Sequence, residues 1–276
     1  MSDLLSYSFV QNALLAALLS GISCGVIGTY IVTRRLVFLS GGITHSSFGG
    51  IGIAYWAGLD PTLGALVFGI LSAFGIEALG RGDRLRPDTA IGILWSLGMA
   101  IGILFIFLTP GYAPNLMGFL FGNLLLTSWS YIEILIALVA LLLLVFTLFY
   151  RTIVSVSADS EYSASQGVCT SAINYSMIAL TAVTIVLNIQ IVGIVLLISM
   201  LTIPVAIVNT LTNNFARIMI FASLVAVIAA IGGLVASYLW DVPSSATTVG
   251  ILALIFGLVK GLHFIFLRAR GRKSLA

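Results

Sequence analysis

The chain has 276 residues, 60% of them hydrophobic and 8% charged, with a formal net charge of +3; its mean hydropathy is +1.19. Soluble domains carry about 25% charged residues, so this chain has too little polar surface to cover itself in water. The composition excludes a soluble domain, points to an integral membrane protein, and gives no reason to expect a nucleic-acid partner.

Apolar runs near twenty residues recur along the sequence, each long enough to cross a hydrocarbon core of about 30 Å. In lipid the backbone must satisfy its own hydrogen bonds, so these runs are helices; a barrel would show short alternating segments. The first residues, MSDLLSYSFVQ, lack a basic cluster and contain Asp3, so no cleaved signal is expected there. Nine segments are predicted, near 10–33, 41–58, 61–79, 89–108, 129–150, 172–189, 191–211, 215–238 and 245–267. The fold class is therefore an all-α, polytopic transmembrane bundle forming a single domain over 1–276.

The basic residues test this count. Arg34 and Arg35 follow segment one, Arg81, Arg84 and Arg86 follow segment three, and Arg151 follows segment five. Arg217 lies between segments seven and eight, and Lys260, Arg268, Arg270, Arg272 and Lys273 lie at or after the last. Nine crossings put all of them on one side, which the positive-inside rule makes cytoplasmic. The chain is thus expected in the cytoplasmic membrane, N-terminus outside and C-terminus inside. The opposite connections, near Asp60-Pro61, 109–128, Asn188–Gln190 and Asp241-Val-Pro, contain no Lys or Arg.

Two connections are more than turns. The stretch 109–129, broken by Pro110, Gly111 and Pro114, is expected outside as a short re-entrant or interfacial helix. The stretch 151–176 is the longest polar passage and is expected inside. Within it, Asp159 and Glu161 suit a helix start, where acidic residues complement the dipole, and Gly167 suits a stop. This predicts a short helix along the cytoplasmic face.

Segment two carries SGGITHSSFGG (40–50). On a helix, Gly42, Ser46, Gly50 and Ala54 recur every four residues and form a small-residue ridge, the means by which helices approach closely in lipid. His45 neighbours it, with Gly41 and Gly49 one turn away on its own face, and is expected to point into the bundle. It lies at most about 15 Å beyond Arg35. An ionisable residue at that depth either lines a pathway or is a structural histidine bonded to a neighbouring helix; the residue alone leaves both open.

Other polar residues suggest less. Glu77 suits an interfacial pair with Arg81, Glu133 and His263 suit the two interfaces, and Asn209, Asn213 and Asn214 suit helix ends. Cys24 and Cys169, the only cysteines, suggest neither disulfide nor metal pair. No P-loop occurs, no nucleophile elbow or H-E-x-x-H, and no ladder of intramembrane carboxylates. A transporter so built borrows its energy from another subunit, which makes the helix near 159–167 a candidate docking element.

Six stretches together resemble the permease subunits of the zinc, manganese and iron group of ATP-binding-cassette importers. RRLVFLSGGITHSSFGGIGIAY (34–55) is similar to the family's R-R-x-x-x-x-G-D-A-x-S-H-A segment, and PDTAIGILWSLGMAIGI (87–103) to its E-D-T-A-I-G-I run. GFLFGNLLLTSW (118–129), SADSEYSASQGV (157–168), IVGIVLLISMLTIPVAIVNTLT (191–212) and GLVASYLWDVPSSATTVGILAL (233–254) resemble further family elements in the same order. The resemblance implies a type II importer-like permease that forms a homodimer around a central pathway for a divalent metal ion. It implies two cytoplasmic ATPase subunits that bind the ATP, an extracytoplasmic solute-binding protein, and no cofactor on this chain. Asp159, Glu161 and Gly167 would belong to the coupling helix, about 157–168. His45 takes the place of the pathway histidine, with Thr44 in place of its serine neighbour. One departure stands out: where the family commonly has aspartate, this chain has Gly41. Alternatives are a metal chelate or other small solute on the same scaffold, or an ion-gradient-coupled secondary transporter.

Overall fold

The computed structural model describes residues 7–80, 86–110, 121–122 and 124–273, with side chains as far as 266. Among the described residues every regular element is helical. They are α1 (Ser8–Thr33), α2 (Val37–Trp56), α3 (Pro61–Gly80), α4 (Pro87–Leu108), α5 (Trp129–Leu148), α6 (Tyr150–Ala158), α7 (Ser160–Ser165), α8 (Thr170–Asn209), α9 (Phe215–Trp240) and α10 (Ser244–Lys273). A 3-10 turn at Leu124–Leu126 precedes α5. Most of the predicted re-entrant stretch, 111–120 and 123, lies outside the described residues, as do Arg81 and Arg84.

Local chemistry sets the helix ends. Proline opens α3 and α4, where its missing N–H has no intrahelical partner to lose. Asp60 caps α3, its Oδ1 accepting from the amides of Thr62 at 2.7 Å and Leu63 at 3.1 Å. The bond from Leu63 is the main cause of a carboxyl held below its ordinary pKa. Asn214 caps α9 by accepting from the Arg217 amide at 3.1 Å. Only Arg34, Arg35 and Leu36 separate α1 from α2. Arg35 adopts φ 58, and the Leu36 amide folds back onto the Ile31 carbonyl at 2.8 Å, leaving a corner with little slack.

The 40 residues of α8 would span about 60 Å if straight, twice the membrane core. They are not straight. Gly193 has φ 76 and ψ 165, and the chain reverses there. Near the start of α8, Asn174 accepts from Arg34 at the foot of α1. Just past its end, Phe215 packs on Phe146 and Tyr150 at the foot of α5. Both ends of α8 therefore lie at one end of the bundle, and Gly193 lies at the other, beside Gly122. The same contacts gather Arg34, Arg151 and Arg217 at one end, as the charge pattern requires.

The predicted turn at Asn188–Gln190 is thus displaced to Gly193. Asn188 is a buried helical residue, and only glycine takes a φ near +76° without steric cost. Seven described helices are long and apolar enough to cross a membrane. With α8 counted as two arms, and the 20-residue α2 added although it falls outside those seven, the described residues give about the nine segments read from the sequence.

Small residues hold the bundle together. A Cβ on Gly21 of α1 would stand 2.6 Å from Val227 Cγ2 of α9, and one on Gly28 would overlap the Leu201 carbonyl oxygen of α8. Lipid offers no hydrophobic drive for helices to associate, so contacts this close let dispersion act between backbones. Around them pack Ile27, Ile31, Ile185, Leu196 and Leu197, all fully buried.

Candidate functional site

Helix α2 is clasped between α3 and α4, and its glycines explain how. A Cβ on Gly50 would overlap the Gly64 carbonyl of α3; one on Gly98 of α4 would stand 2.5 Å from Ser46 Cα; one on Gly42 would stand 2.7 Å from Ile91 Cγ2. Gly64 also closes against Ala54. The ridge residues Gly42, Ser46, Gly50 and Ala54 are all buried, but they serve two neighbours rather than one. Gly49 and Gly52 form a second small row against Gly98 and Gly102 of α4.

This close approach of α4 puts an aromatic ring on the candidate pathway histidine. The indole of Trp95 stacks on the imidazole of His45, centroids 4.1 Å apart and planes 8° from parallel. Trp95 is 36% exposed and His45 is half-buried, so the pair lies at the margin of the subunit rather than deep within it. The His45 Nδ1 is buried with no hydrogen-bond partner among the described residues. Gly41 lies beside the stack: a Cβ there would stand 3.5 Å from Trp95 Cζ3, an ordinary van der Waals contact. Thr44 is fully buried and its hydroxyl donates to the Ser40 carbonyl at 2.7 Å, so it does not share the open side of His45. Among the described residues no three His, Cys, Asp or Glu side chains converge. A single imidazole flanked by an indole could offer an ion a transient contact but not tight, multidentate capture. Without an acceptor on Nδ1 to orient and strengthen it, the imidazole would also be a weaker ligand.

The second candidate site lies at the basic end. Asp159 caps α7, its Oδ1 accepting from the Tyr162 amide at 2.9 Å. Glu161 is exposed in the first turn, and Gly167 takes φ 83 after the last. The helix is narrower than 157–168: residues 157 and 158 belong to α6, which the polarity of the passage conceals. α6 is amphipathic, burying Ile153 and Val156. The Ser155 and Ser163 hydroxyls, 2.8 Å apart, join it to α7. Tyr162, 60% exposed, stands beside the two acids and completes the free face of α7.

Sequence reasoning missed three of these side chains. Trp95 interrupts a run of aliphatic residues and glycine, which is a signal. Tyr162 is the lone aromatic of a polar helix. Arg34 reads only as an interfacial charge, yet its Nη1 donates to the Val156 carbonyl at 2.9 Å and its Nη2 to Asn174 Oδ1 at 3.3 Å. Glu133 is exposed, and Cys169 is exposed at the start of α8.

The end opposite the basic residues is closed by polar and backbone contacts. Gln190 donates to Thr62 at 2.6 Å, Asn12 to the Thr127 carbonyl at 3.2 Å and Tyr131 to the Leu187 carbonyl at 3.0 Å. Gly122 lies so close to the reversal that a Cβ would stand 2.4 Å from the Gly193 nitrogen.

Comparison with known proteins matches residues 6–261 to the ABC 3 transport family. An uncharacterized membrane protein of Synechocystis is 34% identical over 256 residues, covering 93% of this chain and 91% of that protein. The manganese transport system membrane protein MntC of Halalkalibacterium halodurans is 35% identical over 256 residues, covering 93% of this chain and 88% of that protein. Among solved structures, PsaBC from Streptococcus pneumoniae in complex with Fab is similar with a TM-score of 0.84 and 28% identity, covering 94% of this chain and 93% of that one. Matched almost from end to end in sequence and alike in fold, the chain belongs to the ABC 3 transport family.

Proposed function

We propose that this chain is the permease subunit of an ATP-driven importer that moves a divalent metal ion across the cytoplasmic membrane. The observation that carries the reading is the near full-length similarity to a manganese transport membrane protein, on a bundle whose second helix offers one half-buried imidazole. Two copies would face each other across the pathway, with the open sides of His45 and Trp95 toward the ion. The N-terminus would lie outside, where a solute-binding protein delivers the metal. Two ATPase subunits would grip α7 from the cytoplasm through Glu161, Tyr162 and the loop at Gly167, with Asp159 holding the helix start.

A lone imidazole suits zinc and iron, while manganese prefers oxygen donors. Selection among them therefore falls to the binding protein, and the membrane site passes what it is given. Passage requires release as much as binding, which a single weak ligand permits. The test is uptake of manganese, zinc and iron(II) into liposomes holding the permease, its ATPase and its binding protein. ATP-dependent accumulation of at least one metal is expected. Accumulation at the same rate by the permease alone would overturn the reading.

A further inference from the structure

We propose that Arg34 is the positioning residue that carries movement of α7 to the helix bearing His45. The inference rests on the reading of α7 as the ATPase-docking element. α6 ends at Ala158, so the Val156 carbonyl is one of the last four of its helix and lacks an intrahelical partner. The Arg34 guanidinium donates to it at 2.9 Å, placing a cation at the negative end of the helix dipole. Its other arm reaches Asn174 in the first turns of α8 at 3.3 Å. One side chain thus ties the feet of α1, α6 and α8 together.

On one side of this clamp lies α7, joined to α6 by the Ser155–Ser163 hydroxyl contact and by the single residue Asp159. On the other lies the α1–α2 corner, three residues long and held in the left-handed region at Arg35. His45 stands two to three turns into α2. A displacement of α7 therefore has a short, stiff route to the imidazole, and Arg34 is the link in it with the greatest reach. Its role as an interfacial charge would need none of these partners.

The experiment uses liposomes holding the full permease, its ATPase and its binding protein, with manganese as the transported probe. For Arg34→Ala, complex formation and ATP hydrolysis stay near wild type while manganese carried per ATP falls about tenfold. Arg34→Lys, which retains the charge but reaches only one acceptor, recovers part of the loss. Wild-type transport per ATP in Arg34→Ala overturns the proposal, as does a fall in hydrolysis and uptake in equal proportion. If Arg34→Ala does not assemble, Asn174→Ala is read instead: a partial loss of transport per ATP supports the clamp, and an unchanged ratio overturns it. Retained ATPase binding after charge reversal on α7 would sink the docking reading; normal coupling without Arg34, with docking intact, would sink only this one.

Discussion

The indole of Trp95 lies flat on the imidazole of His45, with 4.1 Å between ring centroids. The stack is set by the close approach of α4 to α2, where Gly98, one turn beyond Trp95, packs against Ser46. In a relative with aspartate at the position of Gly41, a carboxylate would occupy the space beside this ring.

Removing the imidazole should therefore remove the site. His45→Ala is expected to lower metal uptake about tenfold with the complex still assembled, a change equivalent to about 1.4 kcal/mol in the barrier to passage. Trp95→Phe keeps a stacking face and should retain most uptake, whereas Trp95→Ala frees the imidazole and should not. Uptake of manganese, zinc and iron(II) measured in parallel checks all three, and normal transport by His45→Ala would return the residue to a packing role.

The free face of α7 predicts how the ATPase holds on. Reversing both charges with Asp159→Lys and Glu161→Lys should weaken co-purification of the ATPase strongly. Part of that effect is loss of the cap, worth about 1 kcal/mol. Asp159→Asn keeps the cap and separates the two contributions. Tyr162→Ala, which removes the exposed ring, should weaken the complex further without altering helix content by circular dichroism.

At the opposite end, the backbone of Gly122 meets the reversal at Gly193 so closely that a methyl group has no room. Gly122 also has φ 66. Gly122→Ala combines overpacking with a left-handed alanine, and about 2–4 kcal/mol of destabilisation is expected. A lowered Tm of the detergent-solubilised permease reads this out. An unchanged Tm would mean that the two glycines do not lock together.

Inside the bundle, Ser23 of α1 and Asn188 of α8 exchange hydrogen bonds at 3.1 and 3.3 Å, and the Asn188 amide also donates to the Thr184 carbonyl at 2.8 Å. Both residues are fully buried. A double-mutant cycle with Ser23→Ala and Asn188→Ala should show a coupling of about 0.6 kcal/mol, the average for polar pairs between membrane helices, and no more than about 1.7 kcal/mol. Unfolding of the detergent-solubilised protein checks it, and strictly additive losses would contradict the pairing.

What the residues announce by themselves is whatever depends on local properties. Hydropathy marks the apolar arms because the bilayer acts on each run separately. The arginines mark one end because charge cannot stay in hydrocarbon. Glycine and serine spacing marks α2 as a helix that others approach closely, and Asp159 with Gly167 marks the ends of α7. Partners distant along the chain are another matter. Arg34 meets Val156 across 122 positions and Asn174 across 140, and nothing near residue 34 encodes either. Asn188 looks like a turn because it is polar, yet Ser23, 165 positions away, satisfies it in the interior and leaves the reversal to Gly193. The ring that covers His45 likewise comes from another helix. Helix formation is decided along the chain, whereas the contents of each site are decided by which helices pack together.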